Sequence, residues 1–152
     1  PYLIAAGVLT PQPSADQLRV LAAAAPLVQS RITVLSEAVG MLGFLFMRAD
    51  QVSYDDDALK TLADNAAQVV SQSRERLALL QDSEWQGEQI QEVLKGLLVS
   101  DLGLKPRFAF APLRVAVSGR RVSPPLFESL EILGKQESLA RLDRFVEHLA
   151  AA

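Results

Sequence analysis

The sequence predicts an all-α protein, because helix-capping motifs and helical hydrophobic periodicity both recur along the chain. Ser14 and Gln17 fit a capping box, in which each side chain accepts a hydrogen bond from the other residue's backbone N–H. Apolar residues then recur every three to four positions, which is typical of helices with one buried face. We therefore expect six helices, near residues 15–29, 34–47, 57–81, 84–100, 124–133 and 136–149.

The first two helices are expected to form a subdomain of their own. Pro26 disturbs the first helix, since proline lacks the N–H that a helix interior needs. Residues 34–47 are apolar nearly all round, as in a helix that is buried on most sides. The Asp-rich stretch 50–57 is the best linker candidate, so we divide the chain into helical subdomains 1–53 and 54–152.

The second subdomain is predicted to open with one long amphipathic helix, because apolar residues keep a 3.6-residue period from Leu59 to Leu80. Ser83 begins a second capping box, SEWQ, ahead of the next helix. Ser123 is a further cap with proline at the first helical position, and Gly134 follows the last turn of that helix. The final helix carries one apolar stripe between residues 139 and 149.

The composition is that of a soluble globular protein, and it excludes several classes of function. The 152 residues are 49% hydrophobic and 22% charged and include no cysteine, which excludes a disulfide scaffold and a thiolate metal site. No apolar run approaches the roughly 20 residues of a membrane span, and the start has no secretory signal. We expect a cytoplasmic protein, and Pro1 in place of Met indicates a fragment or a processed chain.

Charge is distributed unevenly along the chain, although the net charge is only −3. Residues 1–94 contain six Lys or Arg and twelve Asp or Glu, whereas residues 95–152 contain nine and six. Within the second part, residues 95–121 carry six basic residues against Asp101 alone. Because salt confines each charge to about 8 Å, such a basic zone can bind phosphates even on an acidic protein.

The sequence offers little for catalysis. His148 is the only histidine and lies in the terminal helix, so no nucleophile with a neighbouring base is found. Residues 55–57 are three aspartates without the alternating ligands and the glycine of a calcium loop. Residues 118–121 contain one glycine, which is too few for a phosphate-binding loop. We expect no catalytic residue, no metal site and no cofactor in this chain.

Three sequence blocks follow one another near the end of the chain: PLRVAVSG at 112–119, SPPLFESLEILGK at 123–135 and SLARL at 138–142. In this order they resemble the C-terminal end of bacterial glutamyl-tRNA synthetases, which are class I aminoacyl-tRNA synthetases. The resemblance continues more loosely upstream, through Trp85 to the segment around Arg31. It implies an all-α anticodon-binding region of the α-helical cage type.

The resemblance also implies partners and cofactors. The chain would recognise the anticodon arm of tRNA(Glu), while the N-terminal catalytic domain of the same polypeptide would attach glutamate to the tRNA with ATP and Mg. The HIGH and KMSKS signatures of that catalytic domain have no counterpart here, so this fragment is not expected to be an enzyme. We expect a monomer that binds neither DNA nor membranes.

Two arginines are the main candidates for reading the anticodon. Arg31 matches, by register, a family arginine that contacts the third anticodon base and favours cytosine. A solvated arginine at a helix start is the other interpretation of this residue. Arg114, the arginine of PLR, matches a family residue near the first two bases. Alternatively, Arg114 forms a structural ion pair with Glu128 or Glu131.

The remaining candidates form two groups. The first matches family positions around the first and second anticodon bases and comprises Lys95, Ser123, Pro124 and Leu126. The second consists of basic residues that contact phosphates or are simply solvated, and it comprises Lys105, Arg107, Arg120, Arg121 and Lys135. At Ser123 and Pro124, free N–H groups of a helix N-terminus suit base edges or phosphate.

The segment 107–118 is ambiguous on pattern alone, because its larger apolar residues alternate as in a strand. A single strand would leave its backbone groups unpaired, and the family is helical here, so we expect helix and turns. Phe108, Phe110 and Phe127 could stack on bases, but we expect each to pack in the core. Ala111 stands where the family often has glutamine.

An all-α module that docks a protein partner and has no RNA role is the alternative interpretation of the whole chain. The acidic long helix and the apolar residues 34–47 favour it. The two functions differ in their response to salt, since RNA binding by basic residues weakens steeply with salt and apolar docking does not.

Overall fold

The structure of the chain, a computed structural model, describes residues 1–152 and contains helices and turns without any strand. The nine α-helices are α1 (Tyr2–Ala5), α2 (Ala15–Val28), α3 (Glu37–Leu42), α4 (Asp56–Lys60), α5 (Ala66–Ala78), α6 (Gly87–Lys95), α7 (Pro106–Ser118), α8 (Leu126–Leu133) and α9 (Lys135–Ala151). Single 3₁₀ turns occupy Gly43–Phe46, Ala49–Gln51 and Asp82–Glu84, and a π-helical segment, Gly96–Asp101, continues α6. The all-α class is therefore confirmed.

The first two predicted helices are found, with one boundary shifted. Ser14 and Gln17 form both hydrogen bonds of the capping box that opens α2, each at 3.1 Å. Pro26 does not end this helix, which continues to Val28. The next helix, α3, begins at Glu37, because the Glu37 carboxylate accepts a hydrogen bond from the backbone N–H of Thr33 at 2.7 Å and holds the preceding residues in a turn.

The single long helix predicted for residues 57–81 is wrong. The structure divides it into α4 and α5, with an interruption at residues 61–65. The Thr61 hydroxyl donates a hydrogen bond to the carbonyl of Ala58 at 2.7 Å. Asp64 and Asn65 follow, and short polar side chains of this kind favour turns and caps over helix interiors.

Two predicted caps are also wrong. Before α6 the capping pair is Gln81 with Glu84, not Ser83, and the backbone N–H of Gln81 donates to the Glu84 carboxylate at 2.8 Å. Before α8 the Ser123 hydroxyl donates to the carbonyl of Pro124 at 3.1 Å and caps nothing. The helix begins only after Pro125, because a proline pushes the residue before it out of the helical conformation.

The ambiguous segment 107–118 is helical, as expected from its unpaired backbone groups. Pro106 stands in the first turn of α7, where its missing N–H is harmless. Gly119 ends the helix in the left-handed conformation, with φ of +75° and its N–H bonded to the Val115 carbonyl at 2.7 Å. This helix supplies the largest share of the candidate site.

Hydrophobic packing joins the elements around α5, α7 and α9. The buried apolar residues form one cluster that draws on both sides of the predicted boundary, from Val20 and Leu42 to Val70, Leu113 and Phe145. The division into subdomains 1–53 and 54–152 remains a prediction. No helix of the structure has both the length and the apolar character that crossing a bilayer requires.

A buried arginine on the last helix forms hydrogen bonds to α7 and to the first fifty residues. Arg141, on α9, is 1% exposed. Its guanidinium donates to the carbonyls of Val117 at 2.7 Å, Phe44 at 2.9 Å and Met47 at 2.6 Å, and to the Glu137 carboxylate at 3.0 Å. These bonds fix the C-terminal end of α7 relative to the first fifty residues and therefore position the site described below.

Candidate nucleic-acid interface

The outer face of α7 borders an open cleft of about 430 Å³. We call it the α7 cleft, and its lining residues are Thr61, Arg107, Phe108, Ala111, Arg114, Val115 and Arg121. The spacing of residues 107, 111 and 114 along the helix places them on one face. Three of the lining residues are arginines and none is acidic, so the cleft suits a ligand with negative charge and hydrogen-bond acceptors.

Arg114 lies half-buried at the middle of α7. Burial lowers its pKa because desolvation disfavours the charged guanidinium, and repulsion from Arg31 lowers the pKa further, while Glu128 acts in the opposite direction. No ion pair forms with Glu128 or Glu131. The Glu131 carboxylate instead accepts a hydrogen bond from the backbone N–H of Gly87 at 3.2 Å. The Arg114 guanidinium therefore keeps its donors for another partner.

Arg31 follows α2 and is exposed, so it does not stand at a helix start. One of its nitrogens donates to the backbone carbonyl of Ser123 at 3.1 Å. This hydrogen bond joins residues 92 positions apart in the sequence and holds Arg31 beside the segment that precedes α8. Its charge also acts on Arg114. Arg31 and Arg114 come from distant parts of the chain and repel each other, and neither forms an ion pair with a carboxylate.

The predicted contacts at the start of α8 require a correction. The side chains of Ser123 and Leu126 are only 7% and 3% exposed, and Pro124 is buried as well. None of these three side chains is therefore free to meet a base. Backbone donors are what this segment offers, since no side chain caps α8 and its first-turn N–H groups have no intrahelical partner.

Arg120 and Arg121 follow the tight turn at Gly119. The carbonyl of Gly119 accepts a hydrogen bond from the backbone N–H of Asp55 at 2.8 Å, which anchors this turn against the linker. Arg121 lines the α7 cleft. Both arginines also border a neighbouring cleft whose lining includes three carboxylates, those of Glu37, Asp55 and Asp57. The structure therefore surrounds Arg120 with acidic groups and places Arg121 at the edge of the basic site.

The predicted lysines differ in their surroundings. Lys95 is exposed at the end of α6, and no contact in the structure joins it to the arginines. Lys105 is exposed immediately before α7. The ammonium of Lys135 donates to the carbonyl of Leu80. Lys135 therefore joins α9 to the end of α5, and its contact with phosphate stays a prediction.

Phe108 is the residue of the site that the sequence interpretation missed. We expected it in the core, but its ring is 60% exposed and lies in the α7 cleft. Phe110 is buried, as predicted, and makes an edge-on contact with Phe127 at 5.4 Å between ring centroids. Helical geometry turns Phe108 about 200° away from Phe110. The helical period of the segment, applied to each phenylalanine separately, places the two rings on opposite faces and is the signal that could have found it.

Comparison with known proteins identifies the class to which this fold and site belong. Residues 1–146 match the family model described as "Anticodon binding domain". The chain belongs to this family of anticodon-binding domains.

The relatives of the chain are more specific. It is 56% identical over 144 residues to a glutamate–tRNA ligase of Leifsonia xyli and 56% identical over 144 residues to one of Kineococcus radiotolerans. These alignments cover 95% of the chain but only 29% and 28% of the two relatives. The chain thus spans less than a third of their length. The resemblance to glutamyl-tRNA synthetases that the three sequence blocks indicated is confirmed.

Solved structures share the fold. A glutamate tRNA ligase from Elizabethkingia meningosepticum superposes with a TM-score of 0.75 at 22% identity, over 97% of this chain and 27% of that one. Glutamate-tRNA synthetase from Elizabethkingia anophelis gives a TM-score of 0.70 at 20% identity, over 96% and 26%. At this level of identity the likeness concerns the fold alone.

Proposed function

We propose that the chain is the anticodon-binding part of a glutamate–tRNA ligase and recognises the anticodon arm of tRNA(Glu). The observation that carries the proposal is the pair Arg31 and Arg114, whose like charges repel each other while neither residue forms an ion pair. Bringing two such groups together costs free energy that a ligand rich in acceptors offsets. The relatives named glutamate–tRNA ligase support the choice of ligand.

Different groups of the site would have different roles. Arg31 and Arg114 would donate hydrogen bonds to the edges of unpaired bases, as guanidiniums do in single-stranded RNA recognition. Arg107 and Arg121, at the rim of the α7 cleft, would contact phosphates and fix the position of the loop. Lys95, which is exposed and has no acidic partner, would add long-range attraction. The free N–H groups at the start of α8 suit a further base edge or a phosphate.

The remainder of the parent protein would perform the chemistry. A catalytic domain N-terminal to this region would bind ATP and Mg and attach glutamate to the tRNA, and this chain would select the tRNA. We propose that the parent protein is a cytoplasmic, monomeric enzyme, as the resemblance to glutamyl-tRNA synthetases implies.

The relatives favour RNA recognition over the alternative of a protein-docking module. Of the apolar residues 34–47 that the alternative invoked, Leu42, Phe44 and Leu45 are buried in the core, whereas Val34, Leu35 and Met47 are exposed. The acidic helix it invoked is also two shorter helices, α4 and α5. The proposal therefore concerns RNA, and salt dependence separates the two functions.

The proposal is tested by titrating the protein into a fluorescently labelled tRNA(Glu) anticodon stem-loop. Affinity should fall steeply between about 50 and 200 mM salt, because phosphate contacts release counterions. Arg114→Ala should weaken binding by about 1 to 3 kcal/mol and leave the thermal midpoint nearly unchanged, since no contact within the protein is lost. Arg19→Ala is the matched control, because Arg19 is an exposed arginine of α2 that pairs with Asp16.

Two results would contradict the proposal. Binding that does not respond to salt would favour apolar docking over RNA recognition. An Arg114→Ala protein that unfolds several degrees earlier while keeping its RNA affinity would make Arg114 a structural residue.

A further inference from the structure

Phe108 is an exposed aromatic residue at the centre of a basic surface. Its ring is 60% exposed and contributes to no buried contact, so the fold gains little from it. The guanidinium of Arg107 lies 5.9 Å from the centroid of the ring. The arginine therefore stands over one face of the ring, and the rest of the exposed aromatic surface remains accessible in the α7 cleft, which Phe108 lines.

The composition of the α7 cleft defines the kind of ligand that would meet this ring. Arginines 107, 114 and 121 surround the ring, and no carboxylate lines the cleft. A purely apolar partner would leave three guanidiniums desolvated without acceptors, which is costly. A flat, uncharged group attached to phosphates can stack on the ring and supply acceptors to the arginines. An unpaired nucleotide has this combination of a π-face and an anionic backbone.

The cleft also has room for such a group beside the ring. Ala111 lies one helical turn after Arg107 and Phe108 and contributes only a methyl group to the floor. Thr61, from the interruption between α4 and α5, also lines the cleft. The volume of the cleft, about 430 Å³, is larger than that of one base.

We propose that Phe108 is a stacking platform for one unpaired base of the bound RNA, with Arg107 and Arg121 holding the phosphates on either side of that base. The inference rests on the function proposed above and adds a contact that depends on the π-face of a base rather than on its edge. Stacking of this kind tolerates any base, because every base has a π-face. Phe108 therefore contributes affinity, whereas discrimination between anticodons comes from groups that donate to base edges.

The test compares Phe108→Leu, which keeps an apolar side chain but removes the ring, with the unmodified protein. The probe is the anticodon stem-loop, together with a set of stem-loops in which each loop base in turn is replaced by an abasic site. Phe108→Leu should weaken binding to the intact stem-loop by about 5- to 100-fold, the range for loss of one base–aromatic stack. The slope of affinity against salt should not change, since no charge is removed.

The abasic stem-loops locate the contact. At one loop position, removal of the base should weaken binding of the unmodified protein and leave Phe108→Leu unaffected, because the stack is already lost. Tyr2→Leu is the matched control, since Tyr2 is another aromatic residue with half of its surface exposed, at α1. It should bind like the unmodified protein. Thermal unfolding should be the same for all three proteins.

The outcomes separate this inference from the proposed function. If the unmodified protein binds with the expected salt dependence but Phe108→Leu binds within twofold of it, the stacking platform is refuted and the proposed function stands. If Phe108→Leu loses affinity equally for every abasic stem-loop, the ring contacts the backbone and the inference is again refuted. If the unmodified protein does not bind the stem-loop, the proposed function fails and the inference fails with it.

Discussion

Arg141 and Arg114 are two arginines of the same fold with opposite surroundings. Arg141 is 1% exposed and donates to three backbone carbonyls and one carboxylate. Arg114 is half-buried and has no ion-pair partner. Both belong to sequence blocks that resemble the same family, so the sequence does not distinguish them. The two arginines differ instead in the hydrogen-bond acceptors within reach of each guanidinium.

The pKa values of the two arginines shift in the same direction, but their neighbours act on them differently. Burial lowers the pKa of both guanidiniums. For Arg141 the hydrogen bond and charge of Glu137 oppose this effect. For Arg114 repulsion from Arg31 adds to it, and the charge of Glu128, a smaller effect, opposes it. A guanidinium that is compensated within the chain is part of the fold, and one that is repelled by its neighbour is available to a ligand.

Replacing Arg141 should have the largest effect on stability. We expect Arg141→Met to lower the free energy of unfolding by about 3 to 5 kcal/mol, because the carbonyls of Val117, Phe44 and Met47 lose their donor in the interior. Urea denaturation measures the change. Arg76→Met, which removes an exposed arginine with a long ion pair to Asp101, should change stability by less than about 0.5 kcal/mol.

Equal free energies of unfolding for Arg141→Met and Arg76→Met would contradict the structural role given to Arg141.

Gly119→Ala should give the next largest effect, because this residue separates the helix that carries Arg114 from the loop that carries Arg121. Its φ is +75°, and a Cβ there would overlap the backbone oxygen of Ser53. We expect a loss of about 2 to 4 kcal/mol in the free energy of unfolding, from the strained conformation and from displacement of the linker.

Gly96→Ala is the matched control for this glycine. Gly96 has no left-handed φ, and a Cβ at that position meets no atom within 4 Å. Alanine should be neutral or more stabilising there, by up to about 1 kcal/mol, because it favours the helical conformation. Equal destabilisation by the two substitutions would mean that the close approach of residues 53 and 119 does not limit the fold.

Arg31→Gln should have the smallest effect, and it should appear in specificity. A guanidinium can donate to the O2 and N3 acceptors of cytosine, whereas guanine presents N–H donors on the same edge. Glutamine offers both a donor and an acceptor. The preference for a stem-loop whose anticodon ends in C over one that ends in G should therefore shrink, by about 1 kcal/mol. Binding titrations with the two stem-loops measure it, and an unchanged ratio would show that Arg31 does not read this base.

Local signals in the sequence predicted the parts of the fold that depend on neighbouring residues. The capping box at Ser14 was correct because both of its partners lie within three positions and nothing competes with them. The cap at Ser123 was wrong because Pro125 prevents the helix from starting there. The long helix was wrong because periodicity ignores the turn preference of Thr61 and the residues after it.

The candidate site was predictable only in part. Register with a known family, rather than any physical pattern, singled out Arg31 and Ser123, and the structure brings these two into contact. The burial of Leu126 and the carbonyl partner of Lys135 depend on elements far apart in the chain, so no local pattern could reveal them. Phe108 was assigned to the core together with Phe110 and Phe127, although the helical period turns it away from Phe110.

The bonds of Arg141 have a consequence for how this region could be shortened or transplanted. A fragment cut at the predicted boundary of residues 53 and 54 would keep the guanidinium but lose two of its acceptors, the carbonyls of Phe44 and Met47. The charged guanidinium would then keep only its hydrogen bonds to Val117 and Glu137. If this region is exchanged with that of a relative, the junctions therefore have to lie outside residues 44–141. The two helical parts have to be exchanged together.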